Sequence, residues 1–153
     1  MVHLVLNLDT IQELLERLGL HYERPAGHNM LIIKRPQNPN RALRIMASAD
    51  GSIVSLAIIG EFKIPQDRVV EVSCAIAIAN GLIDMGAWCF NYAESELYYR
   101  ITVPAQNNSW TEESIRHLME MALGYASLFF GPLQAIALEG ASFDSILDVH
   151  SGL

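Results

Sequence analysis

The sequence has few of the residues that build covalent staples, metal sites or phosphate loops. Its two cysteines, Cys74 and Cys89, form no CxxC pair, which argues against a disulfide framework or a zinc site. No HExxH motif occurs and the glycines stand singly, so neither a zinc-protease signature nor a phosphate-binding loop is present. We therefore expect no metal and no cofactor, and two free thiols fit a reducing cytoplasm.

Positive charge is also scarce. Ten Lys and Arg residues stand against 17 Asp and Glu, for a net charge of −7, which disfavours a nucleic-acid partner. There is no run of 18 apolar residues and no basic leader at the N-terminus, so we expect no membrane segment and no signal peptide. Apolar residues make up 51% of the 153-residue chain. That fraction is above the ordinary value for globular domains. In a single domain spanning residues 1–153, the excess of apolar residues indicates a subunit interface.

The hydrophobic periodicity predicts an α+β fold. We expect an antiparallel sheet of about five strands, in the order α-β-β-β-α-β-β-α, with the helices packed mainly on one face. The first helix is expected to be capped by Asp9 or Thr10, and the third to end at Gly131-Pro132, followed by a short separate helix. The predicted helices are 9–20, 65–83, 109–132, 133–140 and 142–149, and the predicted strands are 29–35, 41–48, 53–62, 86–93 and 95–103.

Strict alternation in the last predicted strand indicates which residues face the core. Leu97, Tyr99, Ile101 and Val103 share one side, and the intervening residues the other. In the preceding strand Trp88, Phe90 and Tyr92 share a side, which favours cross-strand packing. The alternative is a small-molecule pocket between the sheet and the third helix, lined by Trp88, Phe90 and Tyr125.

The second helix is apolar around most of its circumference, whereas one sheet can cover only one side. We expect either a homodimer formed through this helix or additional packing within the chain. Cys74 is expected to be buried with the helix. The predicted dimer interface consists of Val69, Val72, Cys74, Ile76 and Ala79.

Half of the basic residues lie between Arg24 and Arg44, a stretch without any acid. They are either the solvated charges of an edge hairpin or a patch for an acidic partner segment. The residues of the predicted patch are Lys34, Arg35, Arg41 and Arg44.

No residue pattern points to catalysis. Cys89 with His117 would form a nucleophile and base only if they met in space, and no motif surrounds either. No two histidines have the i, i+4 spacing of metal ligands, and His21 and His28 would form a metal site only if they met near the first strand. We therefore predict no catalytic residue and a protein that is not an enzyme.

Several short motifs resemble the YbjN-like family of proposed bacterial sensory transduction regulators. They are Ile64-Pro65 before the second helix, Asn80 near its end, Gly86-x-Trp88, "LYYRITVP" and "TEESIRHLMEMALGYASLFFGPLQAIALEG". The resemblance runs from about Asp9 to about Leu147, and Ala87 departs from it, since the family often has a charged residue there.

The YbjN-like family is similar in fold to the class I chaperones of type III secretion, which are dimers that bind extended client segments. The resemblance therefore implies a non-enzymatic protein-binding module, chaperone-like or a regulatory adaptor, acting as a dimer on a client protein segment. A small-molecule-binding module is the alternative. The fold alone does not decide between them.

Overall fold

The structure, a computed structural model, describes residues 4–34, 41–106 and 110–150. The elements in chain order are α1 (Leu8–Arg17), β1 (Met30–Lys34), β2 (Arg41–Ala47), β3 (Ile53–Gly60), α2 (Val69–Leu82), β4 (Ala87–Asn91), β5 (Glu96–Pro104), α3 (Glu112–Leu138) and α4 (Ile146–His150). The strands form one antiparallel sheet in the order β1-β2-β3-β5-β4. The predicted α+β class and element order are confirmed.

Side-chain alternation assigns the two faces of the sheet. On β5, Leu97 and Tyr99 are fully buried and Ile101 is 2% exposed, whereas Arg100 is exposed and Tyr98 half-buried. The predicted register of this strand is therefore confirmed. β3 lies at the centre between β2 and β5, which accounts for its nearly continuous apolar sequence.

Helix α1 begins one residue earlier than predicted. Its cap is Asn7, whose Oδ1 accepts the Thr10 N–H at 2.8 Å, and neither Asp9 nor Thr10 fills that role. Leu8, at the first helical position, is 4% exposed. Burial of Leu8 sets the start of the helix, and the sequence pattern beginning at Ile11 did not reveal it.

Helix α3 runs for 27 residues and contains Pro132 in its interior, so the predicted break at Gly131-Pro132 is wrong. A proline inside a helix costs about 3 kcal/mol or more, because one backbone hydrogen bond is lost. Leu133 and Ile136, beyond the proline, are fully buried. Burial of these large side chains offsets the local penalty, each contributing about 1.5–3 kcal/mol.

The two ends of α3 are held differently. Thr111 and Ser114 form a reciprocal capping box at its start. At its end, the Arg68 guanidinium donates to the carbonyl of Ile136 at 2.8 and 2.9 Å and to that of Ala141 at 2.7 Å. A cation at a helix C-terminus is favoured by the helix dipole, so Arg68 ties α3 to the start of α2.

By length and composition, α3 would suffice to cross a membrane. The buried helix of a folded domain meets the same criterion. One side of α3 packs in the core, including Ala122, Phe129 and Phe130. Its apolar character is therefore explained by packing on the sheet.

Candidate functional site

The side of α2 that faces away from the core carries small apolar residues. Val70 is 74% exposed, and Cys74, Ala77 and Gly81 are exposed at the following helical turns. We call Val70, Cys74 and Ala77 the helix patch. The neighbouring turn adds Phe143, whose backbone N–H donates to the Glu71 carboxylate at 3.0 Å. Apart from Glu71, α2 has no charged residue.

The residues predicted for a dimer interface lie partly in the chain's own core and partly on the exposed side of α2. Val72 is 1% exposed, Ala79 is fully buried and Val69 is 9% exposed, so these three belong to the chain's own core. Ile76 is half-buried against that core, and Cys74, expected to be buried, is exposed. A helix that is apolar on every side does not indicate by sequence which side faces inward.

The face of the sheet opposite the helices is a second exposed surface, which we call the open sheet face. Strand register places its side chains in rows that cross the sheet. One row is Ile32, Arg44, Ala57, Arg100 and Ala87, and the next is Lys34, Ala42, Ile59, Tyr98 and Cys89. In the first row apolar and cationic side chains therefore alternate, on a surface that no helix covers.

The predicted basic patch is split between the two faces of the sheet. Lys34 and Arg44 lie on the open sheet face, whereas Arg41 lies on the helix side, with its guanidinium carbon 3.9 Å from the centre of the Phe130 ring. Desolvation lowers the pKa of Arg41. Arg35 lies outside the described residues. Arg41 is therefore a packing residue and not a solvated charge, because alternation along β2 turns it toward α3.

Arg44 has an acidic neighbour on the open sheet face. Its Nη1 lies 4.0 Å from a carboxylate oxygen of Glu96, and Glu96 is also 3.4 Å from the Lys63 ammonium. The Arg44 Nε is buried and makes no hydrogen bond within the described part of the chain. Arg44 is thus only loosely paired.

The aromatic residues of β4 and β5 serve packing. Trp88 is 1% exposed, and its ring centre lies 5.6 Å from that of Tyr99 and 6.1 Å from that of Phe130. The Tyr99 hydroxyl donates to the Met85 carbonyl at 2.6 Å, and burial raises the pKa of Tyr99. Trp88 therefore belongs to the core, and Phe90 and Tyr125 are partly buried against that core.

Cys89 and His117, the candidate nucleophile and base, lie on different sides of the sheet. Cys89 lies on the open sheet face, next to Tyr98, whereas His117 is exposed on α3, which packs on the opposite face. His21 and His28 are both exposed. Among residues 4–34, 41–106 and 110–150, no three His, Cys, Asp or Glu residues are placed to hold a metal ion.

Asn80 protects an outer edge of the sheet. Its Oδ1 accepts the Trp88 N–H at 2.7 Å, and its Nδ2 donates to the Trp88 carbonyl at 3.0 Å. The side chain thereby satisfies backbone groups that β4, as an edge strand, would otherwise present to a further strand. At the other edge, Glu23 makes both backbone hydrogen bonds to Ile32 of β1.

No family model matches this sequence, and no curated protein matches it. Among solved structures, the chain is similar to the crystal structure of YbjN from E. coli, described there as a proposed transcription regulator. The TM-score is 0.72 over 90% of this chain and 97% of that one. The fold is YbjN-like. At 13% identity the likeness concerns the fold alone, and it confirms the resemblance inferred from the sequence motifs.

Sequence reasoning missed two residues of the YbjN-like domain. Asn80 was noted only as a residue near a helix end, and its bonds to Trp88 follow from how α2 lies against β4. Arg100 was recognised only as an outward-facing residue of its strand. Its position across Ala57 from Arg44 depends on the register of β2, β3 and β5, and β5 is distant in sequence from the other two strands.

Proposed function

We propose that this YbjN-like protein is a non-enzymatic protein-binding module that acts as a homodimer, in a chaperone-like or regulatory adaptor role in the bacterial cytoplasm. The observation that carries the proposal is the uncharged, apolar side that α2 presents at Val70, Cys74 and Ala77. Contiguous apolar surface of this kind is uncommon on monomers and is typical of interfaces. The proposal includes no nucleic-acid, membrane or cofactor partner.

A twofold arrangement of α2 would use this side. The helix has 14 residues and is therefore about 21 Å long. Cys74 lies near its middle, so two copies crossing on a twofold axis bring the two Cys74 thiols close together. An obligate interface buries upwards of about 2,000 Å² in total, more than one helix supplies. Phe143 and Leu147, which are 37% and 52% exposed beside α2, would extend the contact.

A client segment would bind on the open sheet face and not by extending the sheet. The outward backbone groups of Trp88 on β4 are occupied by Asn80, and those of Ile32 on β1 by Glu23. Each edge is therefore partly blocked for strand addition. The open sheet face offers accessible side chains instead.

Sedimentation velocity and crosslinking through Cys74 test the dimer. In a Cys89→Ser background, mild oxidation should give a covalent dimer, and the further change Cys74→Ser should abolish it. Val70→Asp should shift the native protein to monomer, since it places a charge in the apolar contact. Val5→Asp is the matched control, because Val5 is 69% exposed and lies outside α2.

A wild-type protein that sediments as a monomer at micromolar concentration would remove the dimer from the proposal. Equal behaviour of Val70→Asp and Val5→Asp would remove α2 from the interface. Circular dichroism of each variant establishes that the fold is retained.

A further inference from the structure

Two apolar side chains on the open sheet face are buried although no helix lies over them. Ala57 is 1% exposed and Ile59 is 5% exposed. Their neighbours across the strands are Arg44, Arg100 and Tyr98, whose long side chains shield them. Ala57 and Ile59 therefore form an apolar floor beneath longer polar side chains.

Arg44 and Arg100 flank Ala57 directly in one row. With strands about 4.8 Å apart, their Cα atoms are roughly 10 Å from each other across the sheet. A carboxylate placed over Ala57 would lie between two guanidinium groups, which bind carboxylates in a bidentate manner. Lys34 adds a third cation in the adjacent row.

The open sheet face is more positive than the chain as a whole. Its strands present Lys34, Arg44 and Arg100 and one carboxylate, Glu96, and Glu23, which pairs with Ile32, adds a second carboxylate at the β1 edge, in a chain of net charge −7. Arg100 makes no ion pair within residues 4–34, 41–106 and 110–150. Glu96 is shared between Arg44 and Lys63, so Arg44 has capacity for a second acid.

We infer that the open sheet face binds an acidic protein segment, with a carboxylate seated between Arg44 and Arg100 and a neighbouring apolar side chain resting on the half-buried Tyr98. The inference rests on the proposed protein-binding function and specifies its partner. Apolar surface between the cations favours a peptide, whose apolar side chains can pack on it, over a nucleic acid, whose phosphates cannot. The negative charge of the remaining surface also repels a long polyanion.

A peptide selection tests the inference. A display library of random 12-residue peptides is selected against the wild type and against the variants Arg44→Gln, Arg100→Gln and Arg116→Gln. Arg116 is the control, because it is an exposed arginine on α3 that pairs with Glu112. Wild type and Arg116→Gln should enrich peptides that combine Asp or Glu with apolar residues.

Fluorescence anisotropy on the enriched peptides gives the affinities. Arg100→Gln and Arg44→Gln should each weaken binding by about tenfold, as expected for close interfacial charge pairs. Raising the salt concentration should weaken binding of the wild type further. Thermal unfolding of all variants establishes that the sheet is intact.

Three results would overturn the inference. They are enrichment of peptides without acids, no enrichment at all, and equal affinities for Arg100→Gln and Arg116→Gln. A labelled oligothymidine that binds as tightly as the peptides, and depends on Arg100, would assign the face to nucleic acid instead. Peptides that bind independently of Arg44 and Arg100 would leave the adaptor function standing and remove only this site, and the dimer is tested separately through Cys74.

Discussion

Replacement of Asn80 should show how much the protected edge of the sheet contributes to stability. Asn80 is the one side chain of α2 that hydrogen-bonds both backbone groups of Trp88. Each hydrogen bond contributes about 1 kcal/mol net, so Asn80→Ala should lower the free energy of unfolding by about 2 kcal/mol. In a domain of this size that corresponds to a fall of roughly 4–8 °C in the midpoint of thermal unfolding.

Asn80→Asp separates the two bonds. The carboxylate can still accept from the Trp88 N–H, but its second oxygen faces the Trp88 carbonyl, which is 3.0 Å from the Asn80 Nδ2 in the native protein. At neutral pH this variant should be destabilised by at least as much as Asn80→Ala, by about 2–3 kcal/mol, since a donor is replaced by a charged acceptor.

The Asn80→Asp variant should recover stability in acid. The protonated carboxyl can donate to the Trp88 carbonyl, so folding raises the pKa of this group above its unfolded value near 3.9. A raised carboxyl pKa means that the folded state binds the proton more tightly, and stability relative to the wild type rises as the pH falls through the folded pKa. Asn80→Ala lacks the titrating group and should show no such recovery.

Urea unfolding followed by tryptophan fluorescence measures these differences, because Trp88 is 1% exposed in the native state. Protein concentration is held constant across the series, since association would shift the midpoint. An Asn80→Ala variant within about 0.5 kcal/mol of the wild type, the range of ordinary surface substitutions, would refute the reasoning. So would an Asn80→Asp variant whose deficit is the same at pH 7 and pH 4.

Three further results are expected. Gly86→Ala should lower the free energy of unfolding in urea by about 3 kcal/mol, because φ is +72° and a Cβ would lie 2.8 Å from the Arg100 carbonyl oxygen. The control Gly27→Ala, with φ +76° and open space around the Cβ, should lower it by only about 1 kcal/mol. Equal losses of stability in the two variants would contradict the clash at Gly86. Arg68→Ala should lower the free energy of unfolding by about 2 kcal/mol, because its hydrogen bonds to the end of α3 are lost. Arg68→Lys should restore part of that loss. An Arg68→Ala variant as stable as the wild type would show that these hydrogen bonds contribute nothing. In a Cys74→Ser background, Cys89 should react slowly with a thiol reagent until the protein unfolds, and rapid native labelling would disprove its inertness.

The local pattern was sufficient to predict the elements and the faces of the strands. Period-two alternation places Leu97 and Tyr99 on the same side whatever the rest of the chain does. The dipeptide Asp50-Gly51, with φ +68° at Gly51, lies in the turn that joins β2 to β3, and such a dipeptide is a strong local signal for a hairpin. The same alternation, applied to β2, would have turned Arg41 away from Arg44. Closeness along the chain does not indicate that Arg41 and Arg44 lie on opposite faces of the sheet.

The positions of helix ends and the inward side of α2 were not available from local pattern. Pro132 predicts a break, yet α3 continues because the residues after it are buried in the core. Because α2 is apolar around most of its circumference, the sequence placed Val72 and Cys74 in one interface, whereas the structure buries Val72 in the chain's own core and exposes Cys74.

By itself, the sequence determined the α+β class, the order of elements and the core-facing side of β5, because these depend on periodicities within single segments. Tertiary structure alone decided that Arg44 and Arg100 flank Ala57 and that Asn80 closes the edge at Trp88. Those arrangements join residues from segments far apart in the chain. Their geometry depends on strand register and helix docking, which are set by the packing of the whole core.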